Sequence, residues 1–160
     1  MDRHSFVQTF TKESIVPAPP KAVFAWHEEQ GAVEKLTPPW EKVSMIERAE
    51  SLQVGSRVIF EVRTGPIKQR WVAEHIEYEP PRLFTDLQRE GPFAFWCHRH
   101  RFEPTTDEQT KMIDEIEYQL PFGLFGLLFG GAFTRVKLQR MFDYRHQVVI
   151  DHFRSAGEKI

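Results

Sequence analysis

The feature that most constrains the fold is the regular alternation of strand-like runs and turn signals between residues 42 and 120. Val58, Phe60 and Val62 occupy alternate positions, which is the period of a half-buried strand. Gly65-Pro66 suits a type II′ hairpin turn, because glycine takes the positive φ that its first central position demands. Further turns are indicated at Pro80-Pro81, Gly91-Pro92 and 104–109. Turns about ten residues apart predict an antiparallel meander.

Helices are predicted on both sides of this strand-rich region. Residues 5–16 have β character, and the prolines that follow open a short helix over residues 21–28. Gly31 separates it from a second short helix over about 32–36. A long helix is predicted over residues 133–155, with apolar residues at helical spacing, namely Leu138, Phe142, Val149 and Phe153.

The predicted fold class is therefore α+β. A curved antiparallel sheet of about seven strands wraps around the long C-terminal helix, and two short helices follow the first strand. One helix across a sheet buries the apolar faces of both, and a sheet curved in this way commonly leaves a cavity. The chain has 160 residues without a repeat or linker, so residues 1–160 are interpreted as a single domain.

Composition limits the binding partners and the cellular compartment that are expected for this chain. The chain has 21 basic and 23 acidic residues, whereas nucleic-acid-binding domains carry a basic excess, so no nucleic acid is expected. A single cysteine, Cys97, excludes an internal disulfide and fits a reducing compartment. No signal-peptide pattern and no apolar run of about 18 residues is present, so a cytoplasmic location is expected.

Several stretches together resemble one superfamily. They are IVPAPPKAVFAWH at 15–27, TPPW at 37–40, VGS at 54–56, GPF at 91–93 followed by Trp96, His98, His100 and Phe102, and YQLPFG at 118–123. This set resembles the START-like (SRPBCC) helix-grip superfamily, in particular its polyketide cyclase/dehydrase and coenzyme-Q-binding group. The resemblance implies a helix-grip fold around a cavity for a lipid, quinone or polyketide-like molecule, and it leaves the ligand open.

The candidate chemistry lies in segment 96–102, because alternate residues of a strand share one face. One face carries Trp96, His98, His100 and Phe102. Arg99 and Arg101 occupy the other face, and two neighbouring arginines favour water. The histidines are therefore predicted to face the interior.

On the next strand, Asp114 is predicted to point inward and to lie across from His100 if the hairpin pairs Phe102 with Met112. Such a pair could act as a general acid and base, with Tyr118 as a further proton donor. It could also be a structural ion pair that fixes the hairpin register. The structural interpretation is favoured, since buried pairs perturb pKa values without catalysis as well.

A metal site is a further alternative for the same region. His75, His98 and His100 near Asp114 could supply ligands, and Asp86 could reach the region of His98 in a suitable strand register. However, the chain has no local ligand pattern such as two histidines four apart beside a glutamate. Neither a metal nor a cofactor is therefore predicted.

The ligand is expected to contact aromatic and aliphatic residues that also form the core, because a cavity wall is built from core positions. These residues are Phe60, Trp71, His75, Trp96, His98, Met112, Ile116, Phe125, Leu128 and Phe142. Segment 121–131 is apolar and rich in glycine, and it is predicted to be a mobile loop. Its first interpretation is a lid over the cavity, and its second is a homodimer or partner contact. Shallow membrane insertion comes third, because the segment has no flanking basic residue before Arg135.

Three functions stay open at this point. The favoured one is a carrier or presenting module for a small hydrophobic ligand. The alternatives are a cyclase or dehydratase that uses His100 and Asp114, and an interaction or regulatory domain without a ligand. A carrier should show an apolar cavity with a mobile mouth, and an enzyme should show polar groups converging in an open pocket. A filled core would favour the interaction domain.

Overall fold

The computed structural model describes residues 6–157, without the side chains of Thr64, Phe125 and residues 127–129. Within this range, seven strands and three helices follow one another in the expected order. They are β1 (Gln8–Val16), α1 (Pro20–Glu28), α2 (Ala32–Lys35), β2 (Val43–Glu47), β3 (Arg57–Thr64), β4 (Ile67–Glu79), β5 (Leu83–Glu90), β6 (Phe95–Thr106), β7 (Gln109–Gln119) and α3 (Gly123–Gly157). The α+β prediction is confirmed.

The strands form one antiparallel sheet in the order β1-β7-β6-β5-β4-β3-β2. The predicted β3–β4 hairpin is confirmed, since Thr64 pairs with Ile67 and Phe60 pairs with Trp71. Gly65 has a φ of 59°, as the hairpin turn requires. Apart from short bulges, the sequential strands are joined as hairpins, and β1 returns to pair with β7.

Helix α3 packs against the sheet closest to β1. Four of its buried residues recur at helical spacing, which explains why one face turns inward: Leu138, Phe142, His146 and Val149. Three of the four are apolar, and the histidine stands in the middle of the stripe. The helix therefore brings one polar group into the interior together with its apolar face.

The prediction that segment 121–131 is a mobile loop is wrong, because α3 begins at Gly123 rather than near residue 133. Phe122 and Gly123 have φ values of 67° and 55°, which turn the chain into the helix. A Cβ atom at Gly126 would overlap the backbone carbonyl of Pro121, so this glycine allows a close approach rather than motion. The interpretation as a loop-type lid fails with it. The side chains of Phe125 and Leu128 lie outside the described residues.

Among the helices of the described chain, none combines the length and the apolar character that crossing a membrane requires.

Candidate functional site

A layer of polar side chains divides the interior between the sheet and α3 into two apolar halves. The half nearer α1 contains Val16, Val23, Phe24, Trp26, Phe84, Phe102, Met112 and Val149. The other half contains Phe10, Trp96, Ile116, Tyr118, Leu138 and Phe142. Between them lie Asp86, His98, His100, Asp114 and His146, which we call the polar layer.

The layer follows directly from the sequence pattern of three elements. On β6 the two histidines stand between Trp96 and Phe102, which belong to different halves. On β7, Asp114 stands between Met112 and Ile116. On α3, His146 lies one helical turn from Phe142 on one side and from Val149 on the other. Along the inward face of each element, polar residues are thus flanked by apolar residues on both sides.

Asp114 is the centre of the layer, because three histidine rings surround its carboxylate. His98 Nε2 and His100 Nδ1 approach Oδ1 at 2.8 and 2.9 Å, and His146 Nε2 approaches Oδ2 at 2.7 Å. Burial alone would raise the pKa of Asp114, but the hydrogen bonds from His100, His146 and His98 hold it well below its usual value. Asp114 is therefore ionised at any pH near neutrality.

Asp86 provides a second carboxylate on the opposite side of the two β6 histidines. Its Oδ2 lies 3.1 Å from His100 Nε2 and 3.7 Å from His98 Nδ1. The β5–β6 register pairs Asp86 with His98, so the strand arrangement brings them together. Burial raises the pKa of Asp86, yet the hydrogen bond from His100 and the nearby histidine charges lower it overall. The two imidazoles thus bridge two ionised carboxylates.

The two bridging histidines differ in protonation. Their ring centroids are 3.7 Å apart, so two positive charges would repel strongly. Burial opposes the charge on His100, but hydrogen bonds to Asp114 and Asp86 raise its pKa to about 9. Burial and the charge of His100 lower the pKa of His98. At neutral pH one ring is therefore protonated and its neighbour is neutral.

Two further histidines border the layer. His27 on α1 has its Nδ1 2.8 Å from the Val23 carbonyl oxygen, and burial lowers its pKa to about 4. His75 on β4 has its Nδ1 3.2 Å from the Ser56 carbonyl oxygen, and burial lowers its pKa as well. Both rings are therefore neutral near pH 7, with Nδ1 donating to a backbone carbonyl.

The predicted hairpin register is confirmed, since Phe102 pairs with Met112 and His100 pairs with Asp114. Tyr118 does not join them. It lies four positions after Asp114 on β7, or about 13 Å away, and its hydroxyl lies 3.4 Å from Gln8 Oε1. The structure gives no support to Tyr118 as a proton donor for the His100–Asp114 pair.

The residues predicted to contact a ligand occupy two environments. Trp71 packs edge-on against Trp96 and Phe93, with centroids 5.2 and 5.7 Å away, and Trp71, Phe93 and Phe60 are only half-buried. The others are buried: His75, Trp96, His98, Met112, Ile116 and Phe142. The half-buried rings are therefore the accessible part of the predicted wall.

Sequence reasoning missed two members of this region on α3. His146 could have been found, because it lies four residues after Phe142 and three before Val149 on the buried helix face. Arg145 donates through Nε to the Leu36 carbonyl oxygen at 3.1 Å, and burial lowers its pKa. No sequence signal separated Arg145 from the other basic residues of the helix.

The space beside the polar layer is small. A cavity of about 10 Å³ is lined by residues that include His27, His100, Asp114, Arg145 and His146. Such a volume holds about one water molecule, whereas ligand pockets measure roughly 300–1,000 Å³. The ligand-sized cavity expected from the sequence is therefore not open at this position.

A larger depression lies on the outer side of α3. It has a volume of about 530 Å³ and is lined by Trp40, Val136, Gln139, Arg140, Asp143, Tyr144 and Gln147. The Arg140 guanidinium lies 4.3 Å from the centroid of the Trp40 ring, and Tyr144 packs edge-on against the same ring. This outer groove is separate from the polar layer and carries none of its histidines.

A seven-stranded antiparallel sheet, two short helices after the first strand and a long C-terminal helix define a helix-grip domain. Residues 16–141 match the sequence profile of the family described as polyketide cyclase / dehydrase and lipid transport. The chain belongs to this family, within the START-like superfamily.

Solved structures share this fold. A nucleoside-diphosphate sugar epimerase from Corynebacterium glutamicum is 30% identical, covering 89% of this chain but 28% of that chain, with a TM-score of 0.67. The ZhuI aromatase/cyclase from Streptomyces sp. R1128 is 16% identical, covering 92% and 94%, with a TM-score of 0.66. Norcoclaurine synthase from Thalictrum flavum, in complex with dopamine and hydroxybenzaldehyde, is 17% identical, covering 91% and 88%, with a TM-score of 0.65. Among curated proteins, none matches this chain.

Proposed function

We propose that the protein binds a small apolar or aromatic molecule that carries a neutral hydroxyl or carbonyl group, between the sheet and α3. The observation that carries this proposal is the polar layer, a set of buried hydrogen-bonding groups enclosed by aromatic residues. Ligand sites commonly combine an apolar wall with a few converging polar groups. The apolar halves would hold the body of the ligand, and the layer would hold its polar group.

The charges of the polar layer determine which kind of polar group the ligand would carry. Asp86 and Asp114 are both ionised, and His100 is protonated between them. A sulfonate or carboxylate brought to this place would lie beside two negative charges, which costs energy in a buried site. A neutral hydroxyl can instead donate to a carboxylate and accept from an imidazole. The solved norcoclaurine synthase complex holds two hydroxylated aromatics in the same fold, which supports this choice.

Ligand access would start at the half-buried rings of the sheet. Trp71 and Phe93 pack against the buried Trp96 and are themselves partly exposed. The side chains of Asp86 and His100 are 16% and 14% exposed, so solvent reaches the edge of the layer. Because the interior space measures about 10 Å³, binding would require these rings or α3 to shift.

The proposal is tested with two probes that share one aromatic body. We expect 2-naphthol, which is neutral, to bind at least about tenfold more tightly than naphthalene-2-sulfonate, a difference of about 1.4 kcal/mol. Trp71→Ala should weaken 2-naphthol binding by about tenfold, because it removes a ring of the wall. Calorimetric titration at pH 7 measures both effects.

The matched control is Trp40→Ala in the outer groove. It should leave the affinity for 2-naphthol unchanged. If Trp40→Ala abolishes binding while Trp71→Ala does not, the ligand occupies the outer groove and the proposal is wrong. Tighter binding of the sulfonate would contradict the assignment of the polar group.

Acid–base catalysis of the dehydratase type is a second candidate, favoured by the opposite pKa shifts of His98 and His100. Neighbouring groups whose pKa values are driven apart can serve as base and acid at one pH. Neutral His98 would remove a proton α to a carbonyl, and protonated His100 would give a proton to the departing β-hydroxyl, which leaves as water.

The probe for this candidate is 4-hydroxy-4-phenylbutan-2-one, whose dehydration product absorbs in the near ultraviolet. Replacing His98 or His100 by Gln should each lower the rate by about 10²-fold or more, because each proton transfer contributes about 10²–10⁴. His152→Gln on the exposed side of α3 is the control. Dehydration no faster with the protein than without it would exclude this activity for the probe.

A further inference from the structure

We infer that Asp86, His98 and His100 form a binding site for a divalent transition-metal ion. Each residue offers one ligand atom to the site, and these three atoms all lie within 4.8 Å of one another. They come from two neighbouring strands, β5 and β6, and face the same side of the sheet. Two imidazoles and one carboxylate are a ligand set that zinc and iron(II) favour.

The distances around Asp86 suit an ion placed between the three groups. Asp86 Oδ2 lies 3.1 Å from His100 Nε2 and 3.7 Å from His98 Nδ1. A nitrogen and an oxygen bound to one tetrahedral zinc, each about 2.0–2.1 Å from it, are about 3.4 Å apart. The two observed distances lie on either side of this value. The second of them exceeds the range of a hydrogen bond, so His98 Nδ1 and Asp86 face each other across a gap.

Asp114 supplies the outer carboxylate that such histidines usually have. The ring nitrogens that face away from Asp86 both meet Asp114 Oδ1: His98 Nε2 hydrogen-bonds to it at 2.8 Å, and His100 Nδ1 lies 2.9 Å from it. When each ring keeps its proton on the nitrogen that faces Asp114, and the metal displaces the second proton of His100, the other nitrogen of each ring offers its lone pair to the metal. Asp114 therefore orients both ligands at once and raises their basicity.

His146 strengthens this outer group. It contacts the other oxygen of Asp114 through Nε2 at 2.7 Å, and its Nδ1 lies 2.9 Å from Ser14 Oγ. Both oxygens of Asp114 are thus occupied, which fixes the orientation of the carboxylate. Strand register and the hydrogen bonds around Asp114 therefore hold the ligand atoms in place.

The site is also partly exposed, and its protein ligands would not complete the coordination of a metal ion. Asp86 and His100 side chains are 16% and 14% exposed, whereas His98 is 4% exposed. Three protein ligands leave at least one coordination position for water or another molecule, as in catalytic rather than structural zinc sites. The sequence prediction of no metal rested on the absence of a local ligand pattern, and this ligand set is assembled across two strands instead.

The test is titration of the chelator-treated, dialysed protein with Zn²⁺ by calorimetry and with Co²⁺ by visible absorption. We expect one equivalent of Zn²⁺ to bind. Asp86→Asn should weaken binding by about 100-fold or more, since it removes a ligand, and Asp114→Asn by about 10–100-fold, since it removes the outer carboxylate. His152→Gln, which removes an exposed histidine on α3, should leave the affinity unchanged.

Two results would overturn the inference. One is a wild-type affinity no higher than that of the His98→Gln/His100→Gln double variant, and the other is an Asp86→Asn variant that binds Zn²⁺ as tightly as wild type. If circular dichroism shows that Asp114→Asn is unfolded, the affinity of Asp86→Asn for Zn²⁺ decides the test alone. This variant should stay folded, because Asp86 makes a single hydrogen bond within the layer. The inference does not depend on the proposed ligand function, because Zn²⁺ binding is measured without any organic ligand.

Discussion

Replacing Asp114 by Asn is expected to lower the free energy of unfolding by about 3–5 kcal/mol, the range found when one partner of a buried ion pair is removed. The side chain of Asp114 is 9% exposed and lies within 2.9 Å of three histidine rings. Asn keeps the shape of the side chain but removes its charge. Protonated His100 would then be balanced by Asp86 alone, and the three imidazoles would share one fewer acceptor oxygen.

Urea denaturation at pH 7 measures this loss. The matched control is Glu115→Gln, the next residue on β7, whose carboxylate lies 3.4 Å from Arg99 in a half-exposed ion pair. Such pairs contribute about 0–1 kcal/mol, so the control should change stability little. If Asp114→Asn lowers the free energy of unfolding no more than Glu115→Gln does, the stability of the polar layer does not depend on the charge of Asp114.

The free energy of unfolding is expected to be highest near pH 6.5 and to fall on both sides. The pKa of His100 is raised from 6.5 to about 9 in the folded chain, so its contribution is complete below pH 6.5 and is lost as the pH rises to 9. The pKa of His27 is lowered to about 4, so the unfolded chain takes up this proton first as the pH falls below 6.5. Each shift corresponds to ~3 kcal/mol across its pH range.

Urea denaturation at intervals from pH 4 to pH 9 traces this profile. The lowered pKa values of His98 and His75 steepen the acid side in the same direction as His27. His100→Gln should flatten the alkaline side and also make the acid side shallower, because the charge of His100 helps to lower the pKa of His98, whereas His27→Gln should affect the acid side alone. A wild-type profile that stays level between pH 6.5 and 9 would contradict the protonated state assigned to His100.

The parts of the site that could be predicted are those fixed by strand alternation. Arg99 and Arg101 on one face of β6 placed His98 and His100 on the other, and the short connection to β7 fixed Asp114 opposite His100. Both inferences use only neighbours in sequence and the two-residue period of a strand. The order of the strands and helices followed from turn signals in the same way.

The parts that could not be predicted depend on long-range packing. Asp86 meets His98 only through the β5–β6 register, which the intervening turn around Gly91 does not determine. His146 comes from a helix that crosses the sheet, and its depth depends on how α3 docks. At 121–131 the glycines predict mobility, whereas in the structure Gly126 makes room for the Pro121 carbonyl at the start of the helix. Local composition does not distinguish these two uses of glycine.

The pairing of β1 with β7 has a consequence for the order of folding. Val16 pairs with Thr110 and Gln8 with Tyr118, so the first strand finds its neighbour only after the rest of the sheet has been synthesised. During translation the hairpins β3 to β7 can form locally as they appear, because they join adjacent segments. Ser14 and His146, which meet beside Asp114, come from opposite ends of the chain. His98 and His100 reach Asp114 when β6 pairs with β7, whereas His146 reaches it only when α3 docks, so Asp114 acquires its full set of partners at the last stage of assembly.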